Sequence, residues 1–293
     1  MVSLWNKLTG KQSAPPTVDP VVREIGGGAA RVTVFTHRLP CTPPRDCWTY
    51  VTQGLASVGQ RELVLTLCRE PGEAAGVFPE EPFLLFETLL HFAQDGKTVD
   101  NGGFTQFGAR RFYDRHILYM FAWPLEGVPI EAGMLTMMLL TDDEIEAVKM
   151  YGSLRVAARF GFRAQYYPYP TWNDRRSSGH GMFALELSAP STLLSKMPAY
   201  RPGDLLVNQM GSKIVVSAKI GSGDRISKVL QGAFPDSPVA LLTDLNPLSD
   251  GCLVWQPGQR PLRHHPAKQR RQVPRRLFHR FHPKPSDGRS APV

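Results

Sequence analysis

"CWTYVTQGLASVGQRELVLTL", residues 47–67, decides the architecture. Trp48, Tyr50 and Thr52 share one face of an extended run, and Leu63, Leu65 and Leu67 share one face of a second, the period of two that a half-buried sheet requires. The two runs predict an antiparallel hairpin. Its connection, "GLASVGQ", is longer and more polar than a tight turn, which raises the question of whether it is a loop or part of a site.

Upstream, "ARVTVFTHRL" (30–39) alternates as a strand and "KQSAPPTVDP" (11–20) reads as a linker. "IGGGAA" (25–30) precedes a strand instead of opening a helix, so it reads as a flexible entry and not as a phosphate cradle. Downstream, "FPEEPFLLFETLLHFAQDG" begins with Pro and two acids, places Phe83, Phe86, Leu90 and Ala93 at three- and four-residue spacing, and stops at Gly96. These are helix signals at both ends. "GGFTQFG", "HILYMFAWPL" and "GMLTMMLL" then read as strands, the last two apolar on both faces as central strands are. "TDDEIEAVKMYGSLRVAARFG" opens with a capping box, Thr141 and Glu144, and turns Ile145, Val148 and Met150 inward, with Gly152 interrupting the run.

From residue 182 the pattern changes to "MFALELS", a strand–turn–strand in "DLLVNQMGSKIVVSAKI", a helix in "SGDRISKVLQGAF", and closing strands in "VALLTDL" and "GCLVW". The expected fold is α+β, with two adjoining sheet-bearing halves and packed helices. It divides into an N-terminal segment and linker (1–29), a folded body (30–258) whose halves meet near 180, and a tail (259–293).

The formal charge of +8 belongs to that tail, which carries ten Lys/Arg and one acid, whereas residues 1–258 hold 24 basic and 25 acidic side chains. Pro-broken and Arg-rich, the tail buries too little apolar surface to offset its ordering entropy and reads as disordered. Its charge favours RNA, DNA or an acidic surface, and "RRLFHRF" interleaves aromatics as such segments do. A solubilising end is the plainer alternative. His264, His265, His279 and His282 follow from the same composition and need no metal.

The four cysteines, Cys41, Cys47, Cys68 and Cys252, lack metal-site or disulfide-framework spacing, which fits a reducing cytoplasm. No apolar run approaches the roughly 20 residues of a membrane span, and the first residues lack a signal peptide's apolar core. Nucleophile-elbow, phosphate-loop and zinc-protease patterns are missing, so no catalytic residue, metal or cofactor is expected. The rival reading, a hydrolase or nucleotide-modifying enzyme, would use His180 of "SGHG" with a distant acid. His91 reads as covering an apolar helix face, and Asp142, Asp143, Glu144 and Glu146 as compensation of a helix dipole.

"QYYPYPTW" (165–172), followed by Arg175 and Arg176, is the candidate binding surface. Tyr166, Tyr167, Tyr169, Trp172 and the two arginines combine large contact area with polar handles. The same residues would equally serve to pack the junction between the halves, their hydroxyls satisfied there.

In order and spacing, "CWTYVTQGLASVGQRELVLTL", "DGKTVDNGG", "ILYMF", "LRVAARFGFRAQYYPYP" and "KIVVSAKIGSGDRISKVLQG" resemble the C-terminal domain of Smad anchor for receptor activation and endofin, over about residues 47–256. "YVTQGL" with "ELVLTL" resembles, more distantly, suppressor of fused, whose bacterial relatives include proposed immunity proteins. The resemblance implies a non-enzymatic domain that binds a protein or peptide, as adaptor or immunity protein, holding an extended segment between two lobes by strand addition. It implies Trp48, Gly54, Gly59, Gln60 and Glu62 as the structural signature at the hairpin, and Tyr167, Pro168 and Pro170 at the junction. On this reading the glycines free the turn's backbone, and Gln60 with Glu62 anchors it.

Overall fold

The computed structural model describes residues 18–39, 41, 43–108, 112–164, 166 and 169–175, without the side chains of 162 and 163, and then the backbone of six strands between 199 and 266. The opening stretch forms β3 (Arg45–Gln53) and β4 (Leu63–Cys68). They pair antiparallel, Trp48 opposite Leu67 and Tyr50 opposite Leu65. β2 (Ala30–Leu39) pairs with the other side of β3 along its whole length.

β2 in turn carries an edge strand, β1 (Val21–Ile25), inside the segment read as leading up to the domain. Its ladder of hydrogen bonds, and not burial, makes it a strand, since Val21 and Val22 are 37% and 57% exposed. An exposed strand leaves no alternation for a sequence reading to find.

After β4 come α1 (Glu81–Gln94), β5 (Phe104–Thr105), β6 (His116–Phe121) and β7 (Leu135–Leu140). The seven-stranded sheet has the order β1-β2-β3-β4-β7-β6-β5. Every junction in it is antiparallel except β4 with β7, which is parallel and confined to Leu63 with Leu135 and Val64 with Thr136. That short junction is where the site arises.

Both faces of the sheet are covered. On one, Val32, Val34, Trp48, Tyr50, Leu63, Leu65, Leu67, Ile117, Tyr119, Leu135 and Met137 pack against Phe83, Phe86, Leu89 and Leu90 of α1. Burying a side chain such as Phe86 or Leu90 contributes about 1.5–3 kcal/mol. α1 has Pro82 in its first turn, and Gly96 ends it at a φ of 78°. His91 is exposed in its last turn and does not cover the apolar face.

The second face corrects the half-buried reading of the hairpin, because Cys47, Thr49, Val51, Val64, Thr66 and Cys68 are buried too. They lie with Leu39, Ala122, Leu125 and Val128, and Trp172 packs against that cluster. At the β6–β7 end the same face meets α2 (Asp142–Tyr151) and α3 (Ser153–Ala164) through Ile145, Val148, Tyr151, Val156 and Ala157.

The capping box is formed: the Glu144 amide donates to Thr141 Oγ1 at 3.4 Å, and the Thr141 amide donates to Glu144 Oε2 at 2.8 Å. Gly152, at φ 87°, separates the two helices. Ile145 and Val148 are buried, but Met150 is 54% exposed. The inward stripe continues three residues on, to Tyr151; Met150, two residues from Val148, points away.

Further along the chain, β9 (Leu206–Met210) and β10 (Lys213–Ser217) form an antiparallel pair. β8 (Ala199–Tyr200), β11 (Val239–Leu242), β12 (Gly251–Trp255) and β13 (Arg263–Pro266) form a sheet of order β13-β12-β11-β8. β13 draws its four residues from the basic segment that begins at 259. The "MFALELS" strand and the "SGDRISKVLQGAF" helix lie outside the described residues, as does the rest of the tail. The fold is α+β, with a seven-stranded sheet and its helices followed by two smaller sheets. No helix among the described residues is long and apolar enough to cross a membrane.

Candidate functional site

Beyond Val64 and Thr136, β4 and β7 part, and Asn173 enters the fork. Its backbone pairs parallel with β4: the Asn173 amide donates to Thr66 O at 2.9 Å, and the Cys68 amide donates to Asn173 O at 2.9 Å. Its carboxamide does for β7 what a neighbouring strand would. Nδ2 donates to Met137 O at 2.9 Å and to Thr66 O at 3.0 Å, while Oδ1 accepts from the Leu139 amide at 2.7 Å. One residue, 8% exposed, thereby satisfies backbone groups of both strands that would otherwise be buried without partners.

The residues around Asn173 are fastened on either side. Asp174 accepts from Arg45 Nη1 at 2.7 Å, and Arg175 pairs with Glu73 in the loop after β4. Trp172 is half-buried between the Tyr166 ring, edge-on at 4.7 Å, and the Arg45 guanidinium at 5.4 Å. Two hydroxyls at the fork, those of Thr136 and Thr171, are buried without a hydrogen-bond partner among the described residues.

This geometry relocates the predicted binding residues. Tyr166 and Tyr169 are 7% and 2% exposed. Tyr169 stacks edge-on against Trp123, and its hydroxyl donates to Phe121 O at 2.7 Å. These tyrosines are packing residues and not an exposed contact surface, because their rings complete the second face of the sheet. Pro170 is half-buried, and the Arg175 side chain is 12% exposed in its ion pair. Tyr167, Pro168, Arg176 and His180 lie outside the described residues. Asn173, the residue that joins the strands, was not singled out from sequence; an Asn after a proline-rich run reads as a turn residue.

The signature residues hold the hairpin and the loop after it. Trp48 is fully buried, its indole donates to Ala75 O at 2.8 Å, and the guanidinium groups of Arg175 and Arg69 lie 5.4 Å and 5.7 Å from its ring. In the "GLASVGQ" connection a 3-10 turn (Leu55–Val58) lies between Gly54 at φ 112° and Gly59 at φ 79°. Glu62 reaches back across it: Oε1 accepts from the Gly54 and Ala56 amides at 2.9 and 3.2 Å, and Oε2 from the Thr52 hydroxyl at 2.7 Å. Gln60, 3% exposed, exchanges hydrogen bonds with the backbone of Val99, accepting at 2.8 Å and donating at 3.1 Å.

A Cβ at Gly54 would lie 3.1 Å from both Ala29 O and Ala30 Cα. With the positive φ, Gly54→Ala is expected to cost about 2–3 kcal/mol. Chemical denaturation checks it: the midpoint falls at unchanged slope, whereas Gly59→Ala, with nothing within 4 Å, pays only for its φ and costs less.

One polar chain crosses the second face. His37 Nε2 is 2.6 Å from Thr49 Oγ1, which is 2.8 Å from Thr66 Oγ1. Burial pushes the His37 pKa down to about 4, so the imidazole is neutral in the fold. Between that value and the unfolded pKa near 6.5 the unfolded chain binds more protons, so stability rises with pH across this window and is lost on acidification. The loss approaches about 3 kcal/mol by pH 4. Thermal melts of wild type against His37→Gln from pH 7 to 4 check it: the wild type's excess melting-temperature loss disappears in the variant.

His116 was also not singled out. It is fully buried; its Nδ1 accepts from the Phe107 amide at 3.1 Å, so Nε2 carries the proton and donates to Asp142 at 2.8 Å. Both ring nitrogens are used in tying β6 to the start of α2, which leaves neither for a substrate. The Cys47 and Cys68 sulfurs are 4.0 Å apart, and hydrogen bonding to Cys68, then burial, raises the Cys47 thiol pKa. No cluster of three metal-ligating side chains occurs among the described residues.

No family model and no curated protein matches the chain, so the resemblance to the domain of Smad anchor for receptor activation and endofin gains no support. Among solved structures the chain is similar to one in the Sufu–Fu complex, at 16% identity over 66% of this chain and 93% of that one, with a TM-score of 0.42. It is also similar to Drosophila Suppressor of Fused, at 15% identity and a TM-score of 0.40, over 63% of this chain and 52% of that one, about half its length.

Proposed function

We propose that this protein is a non-enzymatic interaction domain, an adaptor or immunity-type protein of the cytoplasm, that docks an extended segment of a partner protein. The partner segment docks at the β4–β7 fork, the place that residues 171–175 occupy. One observation carries this reading: β4 and β7 are joined at their diverging ends by an inserted extended segment instead of by each other. The fork takes an extended segment by main-chain pairing with β4, as it takes residue 173, and pairing of this kind gives affinity with little demand on sequence.

Site-specific photocrosslinking of the full chain tests it, with the crosslinker at position 172 and, as control, at Arg31, exposed at the far end of β2. Position 172 is expected to capture a defined partner segment, mapped by mass spectrometry, that position 31 does not. The same set of crosslinks from both positions would overturn the reading.

A further inference from the structure

We infer that the β4–β7 fork is a self-occupied peptide slot, and that residues 171–175 display the chemistry of the external segment it accepts: a carboxamide followed by an acid and then an arginine. The inference rests on the docking reading above and adds to it what the slot recognises. The central requirement comes from three groups on two strands: Met137 O and Thr66 O each accept a hydrogen bond, and the Leu139 amide donates one. A primary carboxamide meets all three at once, having two N–H donors and a carbonyl acceptor on one planar group.

A carboxylate meets only the Leu139 amide and sets negative charge against two carbonyls; a hydroxyl is too short to span the strands. The next position faces Arg45, and the one after it faces Glu73, so the slot prefers an acid and then a base. Two features make the resident segment exchangeable. One of its two ion pairs is partly exposed, with Arg45 and Asp174 side chains 33% and 38% accessible, and such a pair holds weakly, whereas Arg175 is 12% accessible in the other. The buried, unpartnered hydroxyl of Thr136, on β7, is hydrogen-bonding capacity at the fork that the resident leaves unused. Tethered in the same chain, the resident competes at high effective concentration, so an outside segment binds in proportion to the fraction of time the slot is vacated.

The test uses a fluorescein-labelled peptide of residues 169–175, YPTWNDR, and the same peptide with alanine at its Asn, titrated by fluorescence anisotropy into the full chain. Wild type is compared with the double variant Asp174→Ala, Arg175→Ala, whose resident segment is loosened. The double variant is expected to bind the parent peptide at least about tenfold more tightly than wild type does, and the alanine peptide about tenfold more weakly than the parent. Arg45→Ala, which releases Asp174 without altering the segment, serves as a second variant should the first fail to fold, and is expected to shift binding in the same direction.

Near-UV circular dichroism confirms the folded state of each variant. Folded variants that bind both peptides alike, or neither, overturn the slot, even where position 172 still crosslinks a partner and docking itself stands. Selective exchange of the peptide supports the slot, and if crosslinking at 172 then shows no partner, it is the docking reading that fails.

Discussion

Asn173→Ala is expected to destabilise the protein by about 3–5 kcal/mol, a large part of the 5–15 kcal/mol that holds a domain together. The backbone pairing of residue 173 with β4 is retained, so the loss falls on β7. Met137 O and the Leu139 amide lose their partner inside a buried sheet, at about 1–3 kcal/mol each, and Thr66 O keeps only its bond from the residue 173 amide. Asn173→Asp separates the hydrogen bonds from the packing. It preserves shape and the acceptor for Leu139 but removes both donors, and it places a carboxylate against two carbonyls.

That carboxylate's folded pKa is raised above its unfolded value, so the folded state binds more protons as pH falls. The stability gap between Asn173→Asp and wild type should therefore narrow on going from pH 7 to pH 4. Denaturation curves at the two pH values measure it, and a gap that does not change with pH would place the cost in packing alone.

Trp48→Ala carries the second large effect. The indole is fully buried against α1 and Leu67, it supports two guanidinium groups, and it fixes Ala75 O in the loop that leads to α1. Removing a buried tryptophan costs about 3–5 kcal/mol through lost transfer energy and the cavity that remains. For a body of this size that is a fall in melting temperature of about 10–15 °C. Trp48→Phe refills most of the cavity but leaves Ala75 O with only the longer bond from the Thr36 hydroxyl, at 3.3 Å, and should cost about half as much. Calorimetry of the two variants tests the ranking.

Arg175 stands on both sides of this arrangement, near the Trp48 ring and paired with Glu73. Trp48→Ala and Arg175→Ala should therefore couple in a double-mutant cycle, the signature expected when one side chain supports the other.

What the sequence disclosed about this fold is what local chemistry determines. The β3–β4 pairing follows from alternation, α1 from its proline start and glycine stop, and the α2 capping box from two residues three apart. Each of these signals fits within one element. The features that escaped depend on residues far apart in the chain. β1 is a strand only because β2 lies beside it, and its exposed valines leave no periodic trace. Counting apolar residues turns Met150 inward, whereas the helical angle turns it to solvent.

The site shows the same division. Glu62 acts on backbone within the hairpin, whereas Gln60 reaches Val99 across 39 residues, Asn173 reaches β4 and β7 across 107 and 34–36, and His116 meets Asp142 across 26. In a sequence, Asn173 is one polar residue after a proline-rich run. Only the sheet's topology, with two strands that begin in register and then part, gives its side chain a strand's task. The aromatic run beside it misled for a related reason: Tyr166 and Tyr169 have the composition of a contact surface, but the second face of the sheet needed covering and took them.

Residue 173 completes the sheet through its side chain, and a single amide reports it. In residue-resolved hydrogen exchange the Leu139 amide, which donates to Asn173 Oδ1, should be protected in wild type and lose about a hundredfold more protection in Asn173→Ala than the amides of the β2–β3 ladder, which report the global destabilisation. A Leu139 amide as protected in the variant as in wild type would show that β4 and β7 close on each other without Asn173, and would contradict the account.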